Sequence, residues 1–97
     1  MPAYVVVEVD VRDPARYEDY KRLAPPAIAA YGGRYLARGG RTDALEGDAG
    51  PGRLVILEFP SLERAREWWD SPEYRAARAV RQSCASARLI AVEGFAG

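Results

Sequence analysis

The fold is decided by the run YVVVEV at residues 4–9 and by two later runs of the same character, LVILEF at residues 54–59 and LIAVE at residues 89–93. Each run is short and rich in β-branched side chains, which is typical of a strand. Side chains alternate between the two faces of a strand, so each run divides into two alternate sets. One set is wholly apolar, and its predicted members are Val5, Val7, Val9, Val55, Leu57, Phe59, Ile90 and Val92.

The other alternate set is apolar except for a glutamate in each run. Its predicted members are Tyr4, Val6, Glu8, Leu54, Ile56, Glu58, Leu89, Ala91 and Glu93. A sheet face in contact with water is usually far more polar than this. We therefore expect both faces to be covered, one by the chain's own helices and the other by a second copy of the chain.

Capping signals mark where the helices begin. Asp13-Pro14 and Ser71-Pro72 each place a capping side chain directly before a proline, and Ser61 can cap a helix that follows the third strand. The pair Pro25-Pro26 predicts a bend that divides the first helix into two pieces, because proline lacks the N–H donor that a helix needs. Gly32-Gly33 is expected to end that helix.

The predicted elements occur in the order strand, helix, strand, strand, helix, strand. The second strand begins near Arg34, with a bulge at Gly39-Gly40, and a turn at residues 46–52 leads into the third. Right-handed crossovers and hairpin pairing then predict an α+β, ferredoxin-like βαββαβ plait with an antiparallel four-stranded sheet in the order 4-1-3-2. A chain of 97 residues has room for a single domain, residues 1–97.

The composition argues against several classes of partner. Fourteen basic residues balance fourteen acidic ones, which gives a formal net charge of zero and no sign of a nucleic-acid-binding surface. The apolar runs are too short to cross a membrane, and the chain starts without a signal-peptide pattern. A single cysteine, Cys84, fits a reducing compartment. We therefore predict a cytoplasmic protein.

Several catalytic and cofactor-binding arrangements are missing from the sequence. It contains no histidine, which removes Ser-His-Asp and Cys-His pairs, histidine metal clusters and a proximal haem ligand. No glycine pattern typical of phosphate or dinucleotide binding is present. We therefore expect neither a metal ion nor a cofactor.

Five short motifs follow one another along the chain: YGGR at residues 31–34, RGG at 38–40, LEG at 45–47, LEFPS at 57–61 and SPEY at 71–74, the last preceded by Trp68. Together they resemble a bacterial family known only as domain of unknown function thirteen-thirty, within the dimeric α/β-barrel superfamily, over nearly the whole chain from Ala3 to Gly94. The resemblance implies a homodimer of ferredoxin-like protomers whose sheets pack face to face. The superfamily includes cofactor-independent monooxygenases, lactone isomerases and haem enzymes. Trp69 departs from the family pattern, which leads us to expect a tyrosine there.

Two charged residues are candidates for chemistry. Glu58 lies in a central strand and could transfer protons as a general base; the alternative is that it pairs with an arginine at the dimer interface. Arg38, next to Gly39-Gly40, could bind an anionic ligand, because a planar guanidinium binds a carboxylate through two hydrogen bonds. The alternative for Arg38 is a salt bridge beside a bulge.

A set of aromatic residues could line a ligand pocket between the helices and the sheet. Flat apolar walls with hydroxyl or indole donors suit a small organic molecule, and the alternative is that these rings form the core. The predicted ligand-binding residues are Tyr20, Tyr35, Arg38, Trp68, Ser71 and Tyr74.

Three functions therefore remain open from the sequence. The first is binding and cofactor-independent conversion of a small aromatic or carboxylated molecule, by isomerisation or by oxygenation as in a monooxygenase. The second is a sensor that binds a metabolite without changing it, and the third is a dimerisation module. An RNA-binding plait of the same topology is set aside, because its glycine-aromatic signature is missing from the strands.

Overall fold

The computed structural model describes residues 1–48, 50 and 52–96. Its elements are β1 (Ala3–Val11), α1 (Pro14–Ala30), β2 (Arg34–Arg38), β3 (Arg53–Phe59), α2 (Leu62–Trp69), α3 (Pro72–Cys84) and β4 (Ala85–Glu93). The antiparallel sheet has the order β2-β3-β1-β4, which is the predicted order read from the opposite edge. The ferredoxin-like α+β fold is confirmed. The turn predicted at residues 46–52 includes Ala49 and Pro51, which lie outside the described residues together with Gly97.

The hydrophobic core lies between the helices and one face of the sheet. β1 occupies an inner position, where it pairs with β3 on one side and β4 on the other. Its alternate side chains Val5, Val7 and Val9 are buried, and so are Leu57 and Phe59 on β3. The alternation read from the sequence of β1 and β3 is therefore correct, and it determines which face of the sheet the helices cover.

The alternation predicted for β4 is wrong. Leu89 pairs with Val7 and Ala91 with Val5, so these two residues lie on the helix side, whereas Ile90 and Val92 lie on the other face and are 45% and 51% exposed. In this run both alternate sets are apolar, and the sequence pattern alone cannot fix the register. The register follows instead from the junction with α3, because the helix ends at Cys84 and the strand begins at once.

The face of the sheet that the helices leave uncovered, here called the open face, is apolar in the middle and charged at two corners. Val6, Ile56 and Ile90 form its central row across β1, β3 and β4. At one end Arg34 Nε bonds Glu58 Oε2 at 2.7 Å, and at the other Arg88 Nη1 lies 3.8 Å from Glu8 Oε2. Glu93 belongs to the opposite face, since it pairs with Ala3, so the prediction that all three glutamates share one face is wrong.

Helix α1 passes through Pro25 and Pro26 without dividing into two pieces, contrary to the predicted bend. Ala24, Ala27 and Ile28 are buried on either side of the prolines, and this packing keeps the helix continuous. Proline at position 25 removes the N–H that would bond the carbonyl of Lys21, and Arg38 Nη2 donates to that carbonyl at 2.8 Å instead. A side chain from β2 thus replaces a missing bond of the helix.

The irregularity of β2 lies earlier than predicted. The register shifts between Tyr35 and Ala37, which places the bulge at Leu36, and the strand ends at Arg38. Gly39 follows with a φ of 68°, and its N–H still donates to Leu54 O at 2.9 Å. The chain therefore turns away from β3 at Gly39, with a backbone φ that residues other than glycine rarely adopt.

The helix caps are confirmed at Asp13, Ser61 and Ser71. Ser71 is the most deeply buried of them: its hydroxyl donates to Trp68 O at 2.7 Å and accepts from Tyr74 N at 3.1 Å. It joins the end of α2 to the start of α3. No helix among the described residues is both long and apolar enough to cross a membrane.

We expect Ser71→Ala to lower the free energy of unfolding by about 1–2 kcal/mol, because the N–H of Tyr74 loses its acceptor in a buried position. Urea denaturation followed by circular dichroism measures the effect. Ser83→Ala is the matched control, since Ser83 is an exposed serine of the same helix, and its removal should change stability by less than about 0.5 kcal/mol. Equal losses in the two variants would contradict the capping role.

Candidate functional site

A column of aromatic rings in tilted and edge-to-face contact runs through the helix side of the protein. The ring centroids of Trp68 and Tyr74 are 4.3 Å apart, and Phe59 lies 5.1 Å from Trp68 on the other side. The hydroxyl groups of Tyr20 and Tyr74 are 2.7 Å apart, and Tyr17 continues the column 5.3 Å from Tyr20. The column connects α1, α2, α3 and β3, and a concave region lies on each side of it.

The phenol of Tyr20 is held in its protonated form. Burial raises its pKa far above the usual range, and the neighbouring Tyr74 raises it further. Arg81 is 4% exposed and places its Nε 3.4 Å from the Tyr74 hydroxyl. Tyr20 therefore acts as a neutral hydrogen-bonding group at physiological pH and not as a base.

The larger concave region lies between α2 and β4 and is here called the α2–β4 groove. Its volume is about 480 Å³. Trp68 and Trp69 form the α2 side, Leu89 and Ala91 form the β4 side, and Val5 of β1 lies between them. The groove exists because α2 is short and leaves the outer part of β4 uncovered on the helix side.

Charged residues lie at the solvent end of the α2–β4 groove. Arg66 and Asp70 line it, and Asp70 is paired at 3.7 Å with Arg78. Arg78 also donates to the carbonyl of Trp69 at 2.9 Å. Its guanidinium carbon lies 4.3 Å from the centroid of the Trp69 ring. These contacts keep the half-exposed indole of Trp69 in position at the wall of the groove.

The smaller region lies between α1 and the β2–β3 side of the sheet and is here called the α1 cleft. Its volume is about 20 Å³, which is enough for a group the size of a water molecule or slightly larger. Tyr17, Tyr20 and Tyr35 line it together with Arg38 and Arg53. Burial raises the pKa of Tyr17 and of Tyr35, so these phenols also stay protonated.

The predicted ligand-binding residues all lie on the helix side, but in three places. Tyr20, Tyr35 and Arg38 line the α1 cleft, and Trp68 lines the α2–β4 groove. The remaining two, Ser71 and Tyr74, are buried in the core between these regions.

Glu58, the predicted general base, is separated from these residues by the sheet. It points to the open face, where it is paired with Arg34 and its side chain is 22% exposed. Within one protomer, therefore, Glu58 does not share a site with Arg38 or Trp68.

Sequence reasoning did not single out Arg53 or the β4 wall of the groove. Arg53 belongs to the same alternate set as Val55 and Leu57, so a cation in the buried set of β3 was a signal that pointed to it. Leu89 and Ala91 were assigned to the wrong face. Among residues 1–48, 50 and 52–96, no three acidic or cysteine side chains come together as a metal site would require.

Comparison with known proteins identifies relatives of the whole chain. Residues 2–95 match the family model described as Domain of unknown function (DUF1330). No functionally curated protein matches the sequence.

Solved structures share the fold. The protein of unknown function RPA0582 from Rhodopseudomonas palustris has a TM-score of 0.79 and 26% identity, over 99% of this chain and 84% of its own. A dimeric ferredoxin-like protein of unknown function from Jannaschia sp. CCS1 has a TM-score of 0.71 and 10% identity, over 97% of this chain and 100% of its own. SnoaB, a cofactor-independent oxygenase from Streptomyces nogalater, has a TM-score of 0.66 and 10% identity, over 99% of this chain and 95% of its own.

Proposed function

This chain belongs to the DUF1330 family, and we propose that it is a homodimer that binds a small aromatic, carboxylated molecule in the α2–β4 groove. The observation that carries the proposal is the groove itself. Its volume of about 480 Å³ falls within the range of ligand sites, roughly 300–1,000 Å³. The α1 cleft is too small for a whole organic molecule of this kind.

The lining of the groove favours a planar ligand. Trp69 is 42% exposed and offers a flat aromatic surface, the almost fully buried Trp68 lies behind it, and Leu89 and Ala91 offer an apolar wall opposite. Trp68 Nε1 is buried and has no acceptor within hydrogen-bond distance among the described residues. The half-exposed ring of Trp69 is therefore the aromatic surface that a ligand in the groove can contact.

Arg66 favours a carboxylated ligand over a neutral one. It is exposed at the solvent end of the groove and has no carboxylate within ion-pair distance in the part of the chain that the structure describes. A guanidinium in that position can bind a carboxylate through two hydrogen bonds while the ring of the same molecule lies between the indoles and β4.

The open face supports the homodimer. Its central row is apolar, and Ile90 and Val92 are about half exposed, which is unusual for a sheet face in water. A second copy of the same face would cover it, as expected for a symmetric dimer. The ferredoxin-like protein from Jannaschia, which has this fold, is described as dimeric, and this supports a dimer here without indicating which face forms it.

Conversion of the ligand is a second candidate, and Asp70 is the feature that favours it. Isomerisation or cofactor-independent oxygenation of an organic molecule can begin with loss of a proton, and Asp70 brings a carboxylate to the groove. SnoaB, which shares the fold, is described as a cofactor-independent oxygenase. If the ligand leaves unchanged, the protein is a metabolite-binding module; if nothing binds, it is a dimerisation module.

We expect Val6→Glu to convert a dimer into a monomer, because it places a charge in the apolar centre of the open face. Sedimentation velocity measures the mass, and circular dichroism checks that the fold is retained. Ala79→Glu, at an exposed position of α3, is the control and should leave the dimer intact. A Val6→Glu protein that is folded and still dimeric would contradict the proposed interface.

We expect phenylacetate and benzoate to bind the wild-type protein, with saturation-transfer NMR reporting contact with their ring protons. Ala91→Phe fills the groove from the β4 side and should weaken binding by about tenfold or more. Ala79→Phe adds the same side chain at an exposed site and should leave binding unchanged. Equal affinity for wild type and Ala91→Phe would remove the α2–β4 groove as the site. Native mass spectrometry of freshly purified protein complements this test by detecting a retained natural ligand.

If a bound natural ligand is converted, we expect Asp70→Asn to lower the rate by about a hundredfold, the typical contribution of a general base. Mass spectrometry of the ligand before and after incubation measures conversion. Glu58→Gln is the comparison variant, because Glu58 faces away from the groove, and it should alter association more than turnover. Loss of turnover in Glu58→Gln with full turnover in Asp70→Asn would return the catalytic role to Glu58.

A further inference from the structure

The α1 cleft contains two guanidinium groups that no acidic residue pairs with among the described residues. Lys21, Arg38 and Arg53 line it, and no aspartate or glutamate does so among the described residues. Lys21 is paired with Glu18 at 2.6 Å, but Arg38 and Arg53 have no carboxylate within ion-pair distance in residues 1–48, 50 and 52–96. Arg38 is exposed, whereas Arg53 is partly buried, and burying part of a guanidinium costs free energy unless that part is paired.

Arg53 is the least satisfied of these cations. Its Nε is buried and has no acceptor within hydrogen-bond distance among the residues that the structure describes. Its guanidinium lies 5.5 Å from the centroid of the Tyr17 ring, close enough for a cation–π contact but without an anion. A Cβ at position 39 would collide with this guanidinium, so Gly39 provides the space that Arg53 occupies. The chain thus makes room for a cation that it leaves unpaired.

Arg38 lies at the exposed side of the same cleft. Its guanidinium stacks 4.5 Å from the centroid of the Tyr35 ring and donates to Lys21 O, the carbonyl that Pro25 leaves without a helical partner. A neutral carbonyl is a weaker acceptor than a carboxylate. Arg38 can therefore exchange this bond for an incoming anion while its stacking on Tyr35 keeps it near the cleft.

The remaining polar groups of the cleft are also donors. The phenols of Tyr17, Tyr20 and Tyr35 remain protonated at neutral pH because burial raises the pKa of each. Their hydroxyl groups can donate to an oxygen anion, and the neighbouring side chains Val7, Ile28 and Val55 keep the surroundings apolar. The combination of protonated phenols and unpaired guanidinium groups suits an anion and disfavours a cation.

We propose that the α1 cleft is a binding site for a carboxylate group, held by Arg53 on the inside and Arg38 on the outside, and separate from the α2–β4 groove. Its enclosed volume of about 20 Å³ is that of about one water-sized group, so it admits one carboxylate oxygen, and the rest of even a small acid such as formate lies toward Arg38. A larger acid would place only its carboxylate in the cleft and extend past Arg38 into solvent. A carboxylate can accept hydrogen bonds from both guanidinium groups and also balances part of their charge, whereas a water molecule carries no charge.

The proposal is tested by titrating the wild-type protein with sodium formate against sodium chloride at equal ionic strength. We expect formate to raise the Tm in a saturable manner, since a ligand that binds the folded state stabilises it, and to shift the Nε–H resonance of Arg53 in ¹H–¹⁵N NMR spectra. Arg53→Gln and Arg38→Gln should each weaken formate binding by about tenfold or more. Arg75→Gln, an exposed arginine of α3, is the matched control and should bind formate as the wild type does.

Three results would overturn the proposal: a formate response no larger than that to chloride, an Arg53 resonance that does not move, or unchanged affinity in folded Arg53→Gln. If Arg53→Gln does not fold, Arg53→Lys keeps the charge and loses the planar fork, and undiminished formate affinity in it would likewise contradict the role of the guanidinium.

Two further arms separate this site from the groove and identify the source of the carboxylate. Ala91→Phe should bind formate as the wild type does, and Arg53→Gln should bind phenylacetate as the wild type does. Each proposed site can then be tested without the other. Loss of formate binding in Ala91→Phe would contradict a separate site. In Ala91→Phe, whose groove is filled, competition of benzoate with formate supports a carboxylate carried by a larger acid, and formate binding without competition supports a small free acid.

Discussion

The helix side of this protein depends on the close, tilted contact between the rings of Trp68 and Tyr74, whose centroids are 4.3 Å apart. The two residues lie at the end of α2 and the start of α3, and Ser71 between them bonds the backbone of both. Because both rings are almost fully buried, the angle between the two helices cannot change without opening the core. Trp68 in turn sets one wall of the α2–β4 groove, and Tyr74 holds Tyr20 at the α1 cleft through their hydroxyl groups.

The sequence was sufficient for the topology because its strongest signals are local and unambiguous. In β1 and β3 a glutamate interrupts one alternate set, so Glu8 and Glu58 mark the open face and the valines mark the core. The serine and aspartate caps define the helix starts by a side-chain bond within a single turn. In β4, by contrast, Leu89 and Ile90 are both apolar, and only the junction with α3 determines which of them faces the helices. The continuity of α1 is also a tertiary effect, because packing on both sides of Pro25 outweighs the local preference.

The candidate site was less predictable for a different reason. Alternation shows that two residues share a face, but it does not show which face carries a pocket or which charge remains unpaired. Glu58 was chosen for its central strand and Arg38 for its place beside Gly39-Gly40, yet the sheet separates the two side chains. Arg53 was overlooked because an arginine at the start of a strand usually reaches solvent, whereas here its Nε is buried and its guanidinium occupies the space that Gly39 leaves beside it.

The placement of charge along β3 distinguishes the two faces of the sheet. Glu58 meets Arg34 within hydrogen-bond distance and is neutralised on the open face, where a second copy of the chain would bring further apolar surface. Arg53, on the same strand, points to the helix side and meets aromatic rings instead of an acid. An ion pair formed within the protomer adds little attraction for a ligand. An unpaired cation among apolar groups attracts an anion more strongly, because the surroundings screen the charge poorly. Association on one face and ligand binding on the other therefore require no shared residues, and a dimer could form without covering either the groove or the cleft.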